Sequence, residues 1–168
     1  MIVTIHQPQY LPWLGYFDKA DRSDVFILLD DVQFKKNEWQ NRNRIRTSQG
    51  WQWLTVPVLH DFGQKINQVR INNKIDWKKN HLKALQLNYI KAPFYKEYIG
   101  LFESAYCKDW EFLSEINIYF IEKIVSILGI KTKIVTSSSF QSSNDPTQRL
   151  IDLCQKFKAK KYLSGQDG

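Results

Sequence analysis

The sequence predicts an α/β fold: a Rossmann-like, mostly parallel sheet with flanking helices and a β-hairpin insertion. Short apolar segments of strand length alternate along the chain with segments in which apolar residues recur at helical spacing. Residues 1–5 and 24–29 are nearly continuous apolar runs, as is typical of strands buried on both faces of a parallel sheet. No linker or repeat divides the 168 residues, and we therefore expect a single domain over residues 1–168.

The first half of the chain is predicted to form a strand–helix–strand unit and a hairpin. In order, its elements are a strand at 1–5, a helix at 14–22, a strand at 24–29 and hairpin strands at 44–47 and 51–58. The hairpin is predicted because the short turn Ser48-Gln49-Gly50, which contains glycine, separates its two strands.

The second half is predicted to be mainly helical, with two further strands. In order, its elements are a helix at 77–90, a helix that starts after Pro93, a long helix, a strand at 133–136, a helix at 147–157 and a strand at 161–163. The apolar face of the long helix consists of Leu113, Ile116, Phe120, Ile124, Ile127 and Leu128. Asp76 and Asp145, the latter followed by a proline, are predicted N-caps, and Gly129 is a predicted C-cap.

Composition narrows the classes of partner and compartment. The net charge of +7 favours phosphates, nucleic acid or an anionic membrane surface. Cys107 and Cys154 lack zinc-ligand or Cys-x-x-Cys spacing, so we expect buried, reduced thiols and no metal site. The chain has neither a secretory signal nor an apolar run long enough to cross a bilayer, which predicts a cytoplasmic protein without a transmembrane segment. The composition identifies no cofactor, and it does not indicate the oligomeric state.

The loop after the first strand is the strongest indication of a binding site. Residues 6–13 read His-Gln-Pro-Gln-Tyr-Leu-Pro-Trp, so two prolines fix a backbone that carries an imidazole, two amides, a phenol and an indole. The alternative is that Tyr10 and Trp13 fill the core while His6 bonds a neighbouring carbonyl.

Ligands of open parallel sheets bind outside the carboxyl ends of the strands. This rule gathers four segments at one edge of the predicted sheet: 6–13, 30–31, 137–139 and 164–168. Asp30 or Asp31 could orient a ribose hydroxyl, hold Mg²⁺ through phosphate oxygens or set the tautomer of His6. A turn residue or a helix cap is the alternative role for this acidic pair.

Further polar residues are candidates for contacts with an anionic substrate. Arg42 could clamp a carboxylate or phosphate between Asn41 and Asn43, although a solvated basic strand end would have the same sequence. Arg149, near the start of its helix, is predicted to reach toward an anion or a carboxylate. His81 lies among three lysines of a helix and is predicted to be a surface residue, with a phosphate-facing role as the alternative.

The hairpin region also interleaves cations with indoles. The residues concerned are Lys35, Lys36, Trp39, Arg42, Arg44, Arg46, Trp51 and Trp53. Such a pattern could stack bases and neutralise phosphates, as single-strand binders do, but no nucleic-acid motif accompanies it. A small-molecule partner is therefore favoured over nucleic acid.

Several motifs, taken together, resemble those of the WbqC-like family. They are IHQPQYLPWLGYFDKA, LDDVQF, QNRNRI, WLTVPV, the serines at 137–139, TQRLIDLC and YLSG. The resemblance implies a bacterial cytoplasmic protein associated with O-antigen or other surface-polysaccharide synthesis, with a suggested aminoacyl (glycine) transferase role. It also implies a longer chain, because family members typically continue beyond the SGxxG motif.

The sequence therefore predicts a transferase that acts on an anionic or nucleotide-linked sugar. The alternative is a non-catalytic protein that binds nucleotide sugars or single-stranded nucleic acid. The candidate catalytic residues are His6, Asp30 and Asp31, and the candidate substrate-binding residues are Gln7, Gln9, Tyr10, Trp13, Gln33, Asn41, Arg42, Asn43, Ser138, Arg149, Ser164 and Gly165.

Overall fold

The computed structural model describes residues 1–165, and contacts between Cα atoms divide the chain into two compact units. Unit 1 contains residues 1–8, residues 12–32 and the chain from residue 121 onward, whereas unit 2 contains residues 9–11 and 33–120. The predicted α/β class is confirmed, while the single domain stays a prediction.

The strands and helices of the described residues follow the predicted order closely. The strands are β1 (Ile2–His6), β2 (Val25–Leu28), β3 (Arg42–Thr47), β4 (Gly50–Thr55), β5 (Val58–Leu59), β6 (Arg70–Ile71), β7 (Lys133–Thr136) and β8 (Lys161–Tyr162). The helices are α1 (Leu14–Asp21), α2 (Trp77–Tyr89), α3 (Tyr95–Cys107), α4 (Leu113–Ile127) and α5 (Pro146–Lys156). The predicted strand at 51–58 ends at Thr55, and the sequence predicted neither β5 nor β6, which pair with each other.

Unit 1 is built on a four-stranded sheet in the order β7-β2-β1-β8. All three pairings are parallel, which confirms the predicted parallel sheet. Val3 pairs with Val25, and Ile5 with Ile27, so these four side chains share one face of the sheet. Leu153 of α5 joins them in a buried cluster. Burial of β2 on both faces explains why its sequence is continuously apolar.

Unit 2 contains the predicted hairpin, formed by the antiparallel strands β3 and β4. Ile45 and Leu54 lie on its buried face. The opposite face carries the cross-strand pairs Arg44–Trp53 and Arg46–Trp51. The hairpin thus has one core face and one face made of guanidinium and indole groups.

Two predicted helix ends are confirmed, and two other predictions about the helices are corrected. Gly129 ends α4 with a φ of 68°, and the Asp145 side chain caps α5 by accepting a hydrogen bond from the Gln148 amide. Asp76 precedes α2, but its side chain makes no capping bond. Ile127 and Leu128 are about half exposed, contrary to prediction, because Val125 takes the last buried position of α4.

The structure also bears on the predictions made for the two cysteines and for membrane-spanning segments. Cys107 is exposed at the end of α3, so the prediction of a buried thiol is wrong there, whereas Cys154 on α5 is half-buried. Among residues 1–165, no helix has both the length and the apolar character needed to span a membrane.

Candidate functional site

The carboxyl ends of the four parallel strands bring polar residues of unit 1 to one edge of the sheet. His6 is the last residue of β1, Asp30 lies two residues beyond β2, and Ser137 directly follows β7. Ser164 lies two residues beyond β8. The sequence also predicts Gln166, Asp167 and Gly168 at this edge, but these three lie outside the described residues.

His6 is held in one tautomer. Its Nδ1 lies 3.2 Å from the carbonyl oxygen of Gln7. Because a carbonyl can only accept, Nδ1 carries the proton, and a neutral ring then presents Nε2 as an acceptor. The Tyr16 ring packs edge-on against the imidazole at 4.8 Å between centroids, and its hydroxyl donates to the same carbonyl. The backbone of Gln7 therefore orients the imidazole.

The surroundings of His6 keep its ring neutral. Burial lowers the pKa of His6 below its usual value, and the positive charge of Lys19 lowers it further. The hydrogen bond to Gln7 raises the pKa of His6, but by less than either burial or Lys19 lowers it. A neutral imidazole with an accepting Nε2 can serve as a general base near pH 7.

Lys19 is a candidate residue that the sequence analysis missed. It lies on α1, three residues after Tyr16 and therefore on the same helix face, which was the available signal. Burial lowers the pKa of its ammonium group. A side chain at position 165 would start 3.7 Å from Lys19 Nζ, so the Ser164-Gly165 loop approaches this amine. No carboxylate of the described residues forms an ion pair with it.

The acidic pair after β2 binds the serines after β7. Asp30 is buried, and its carboxylate accepts from the Ser138 amide, at 2.9 Å, and from the Ser138 hydroxyl, at 2.7 Å. The single hydroxyl hydrogen of Ser137 is shared between Asp30 and Asp31. Asp30 thus anchors the serine segment 137–139 through these hydrogen bonds. The hydrogen-bond partner of His6 Nδ1 is Gln7 and neither aspartate, which corrects the predicted tautomer-setting role.

The loop after β1 divides between the two units. Tyr10 belongs to unit 2 and is fully buried, so its predicted place in a pocket wall is wrong and the core alternative is correct. The Gln9 side chain is also buried, and its Oε1 has no hydrogen-bond partner among the described residues. Trp13, in unit 1, is 63% exposed and lies over Gly15, so it remains available to a ligand.

His81 is buried, which corrects its prediction as a surface residue. Its Nδ1 lies 2.9 Å from the Tyr10 hydroxyl and its Nε2 lies 3.1 Å from the Thr55 carbonyl oxygen. The helix α2 turns His81 inward because residues 77, 81, 84 and 85 share its buried face. The three neighbouring lysines occupy the other positions.

The Asn41–Asn43 segment, the predicted substrate clamp, belongs to unit 2. Asn41 is buried and holds the Val56 carbonyl and the Asn37 amide, while Asn43 donates to the Leu11 carbonyl. Both amides therefore position backbone. Arg42 stacks on Trp53 at 4.1 Å from the ring centroid, and its Nε has no hydrogen-bond partner among the described residues. Arg42 thus packs on the hairpin through its guanidinium group, and this Nε is buried.

The remaining predicted residues have local roles. Gln33, in unit 2, is exposed and pairs its backbone with Lys65. Arg149 donates to the Ser143 carbonyl and contacts Asn144, and so it holds its own loop where an anion or carboxylate was predicted. Residues 1–165 contain no group of three or more His, Cys, Asp or Glu side chains arranged for a metal ion.

These features define an α/β protein with a candidate site at the carboxyl edge of a parallel sheet. The sequence model of the WbqC-like protein family matches residues 7–168. The uncharacterized protein Rv1507c of Mycobacterium tuberculosis is 42% identical over 166 residues, which cover 97% of this chain and 71% of that protein. No solved structure matches the chain significantly. The chain therefore belongs to the WbqC-like family.

Proposed function

We propose that this WbqC-like protein is a transferase of surface-polysaccharide assembly that moves an activated small group, such as a glycyl group, to a nucleotide-linked or lipid-linked sugar. The observation that carries the proposal is the neutral imidazole of His6, with its proton on Nδ1 and its acceptor on Nε2. The proposed polysaccharide pathway rests on the family resemblance.

The transfer step follows from the tautomer of His6. Nε2 takes the proton from an acceptor hydroxyl or amine as that group attacks the acyl carbonyl of the donor. The new bond to the acyl carbon forms, the bond to the donor's leaving group breaks, and the imidazolium returns the proton to that leaving group. The Lys19 ammonium group offsets the negative charge of the tetrahedral intermediate or of a substrate phosphate.

Two features of unit 1 support a sugar or nucleotide substrate. The exposed indole of Trp13, carried by the same unit, offers a flat apolar surface to a sugar ring or a base. The loop at Ser164 and Gly165 offers its backbone to a phosphate held by Lys19.

The test is a direct transfer assay. The protein is incubated with glycyl-tRNA or glycyl-coenzyme A as donor and UDP-sugars as acceptors, and products are identified by mass spectrometry. We expect His6→Ala to abolish transfer while the thermal midpoint changes little. His60→Ala is the matched control, because His60 lies in a loop of unit 2, and it should retain activity. Retained turnover in His6→Ala would overturn the proposal.

A non-catalytic binding protein is the second candidate. It is favoured by the open face of the hairpin, where the Arg44 guanidinium lies 5.0 Å from the Trp51 ring and 5.4 Å from the Trp53 ring. Such a face could stack bases and bind phosphates. Saturable binding of a UDP-sugar without transfer would support a nucleotide-sugar binder. Binding of single-stranded oligonucleotides that weakens steeply with salt would support a strand binder.

A further inference from the structure

The turn between α2 and α3, in unit 2, exposes a group of large apolar side chains. Leu87 and Ile90 lie three residues apart at the end of α2, and Phe94 and Tyr98 lie four residues apart at the start of α3. Their exposed fractions range from 39% to 70%. Single exposed apolar residues are common, but four at one turn are typical of a binding surface. We call this group the apolar corner.

Positive charge surrounds the apolar corner. Residues 77–98 contain five lysines and one acidic residue, Glu97. The hairpin adds Arg46, because the Arg46 amide donates to the Tyr89 hydroxyl at 3.0 Å and so places this part of the hairpin beside the end of α2. Lys91, Lys96 and Arg46 form no ion pair with any described carboxylate. Lys91, Lys96 and Arg46 are thus unpaired cations near the apolar corner, whereas Lys78, at the start of α2, pairs with Asp109.

We infer that the apolar corner docks this protein on an anionic phospholipid bilayer. Leu87, Ile90 and Phe94 would enter the boundary between headgroups and acyl chains, while the surrounding cations pair with lipid phosphates. Tyr98 and the exposed Trp51, which pairs with Arg46, suit the membrane interface. A second copy of the chain fits less well, because a symmetric contact would bring the same lysines face to face.

The test is co-sedimentation of the intact protein with vesicles. Vesicles of phosphatidylcholine alone are compared with vesicles that also contain phosphatidylglycerol. We expect binding to the anionic vesicles that weakens as salt is added. Phe94→Ser and Ile90→Ser should each lower the partition coefficient at least about tenfold, since each removes a large apolar group from the bilayer.

Leu128→Ser is the matched control, because Leu128 is 51% exposed but lies in unit 1, and it should bind as the unchanged protein does. Circular dichroism checks that each variant is folded. The inference is overturned by equal binding to both kinds of vesicle, by no binding to either, or by unchanged binding of Phe94→Ser. It is also overturned if ultracentrifugation shows a dimer that Phe94→Ser dissociates. None of these outcomes depends on transferase activity.

Discussion

The Tyr10 hydroxyl donates a hydrogen bond of 2.9 Å to Nδ1 of His81 in the core of unit 2. Its direction follows from the other ring nitrogen, because Nε2 faces the Thr55 carbonyl and must carry the proton. Having donated its proton, the Tyr10 hydroxyl can only accept from Tyr106, which also bonds to it. Each hydrogen bond in the series from Tyr106 through Tyr10 and His81 to Thr55 thus has a defined donor and a defined acceptor.

Tyr10→Phe should destabilise the protein. The substitution leaves Nδ1 of His81 and the Tyr106 hydroxyl without their buried partner, which we expect to cost about 1–3 kcal/mol in the free energy of unfolding. Urea denaturation measures the loss. Tyr98→Phe is the control, because Tyr98 is partly exposed and its change should stay within about 0.5 kcal/mol. Equal losses in the two variants would show that the buried chain contributes nothing specific.

The stability of the protein should fall as the pH drops from about 6.5 to about 4, since burial lowers the pKa of His81 to about 4 from its usual 6.5. In this window the unfolded chain binds a proton at His81 that the folded protein does not, so acid favours unfolding. The loss attributable to His81 is on the order of 3 kcal/mol. We expect His81→Gln to flatten the pH profile of denaturation in this window. His60→Gln should keep the slope, and a slope unchanged in His81→Gln contradicts the prediction.

Lys19→Met should move the acid limb of the pH–rate profile to higher pH. The charge of Lys19 lowers the pKa of His6, so its removal raises that pKa, and His6 then loses its basic form at a higher pH. Lys19→Arg keeps the charge and should keep the position of the limb. A limb that stays in place in Lys19→Met would show that the amine does not act on the base during transfer.

Gly15→Ala should displace the Trp13 indole with little effect on stability. A Cβ at Gly15 would lie 1.9 Å from a Trp13 ring carbon, so the exposed ring must move. We expect greater quenching of tryptophan fluorescence by acrylamide and, if Trp13 contacts substrate, a higher KM. The fluorescence change should vanish when Trp13→Phe is also present. Gly100→Ala, where the Cβ meets open space, is the control, and an equal change in that variant would contradict the prediction.

Asp30→Ala should destabilise the protein more than Asp31→Ala. Asp30 is buried and accepts from the Ser138 amide, the Ser138 hydroxyl and the Ser137 hydroxyl, whereas Asp31 is half-buried and accepts from Ser137. Loss of the Asp30 carboxylate removes the protein acceptor of the Ser138 amide and hydroxyl, which we expect to cost about 1–3 kcal/mol. Chemical denaturation of the two variants makes the comparison, and a greater loss in Asp31→Ala would reverse the assignment.

Local pattern was sufficient for most of the secondary structure. The Asp145-Pro146 pair predicts the start of α5, Gly129 predicts the end of α4, and the apolar run of residues 24–29 predicts a strand buried on both faces. These features depend on a few adjacent residues, so they can be predicted without knowing which distant residues pack against them. The parallel arrangement also followed, since strands separated by helices pair in that direction.

The roles of polar side chains were harder to predict, because burial and partners depend on residues far away in sequence. His81 has surface-like neighbours but meets Tyr10, 71 positions earlier. Asp30 and Ser138, which are 108 positions apart, form a hydrogen bond with each other. The sequence places Lys19 on the helix face of Tyr16, but only the folded unit brings its charge near His6.

The sequence by itself therefore determined the fold class and the edge of the sheet where a site can lie, because these follow from periodicity, capping residues and strand direction. The family followed from its motifs. Only the tertiary structure decided which polar groups at that edge are already bonded to the protein and which are open to a ligand. A hydrogen bond or a pKa shift arises from distances between atoms, and folding alone sets those distances.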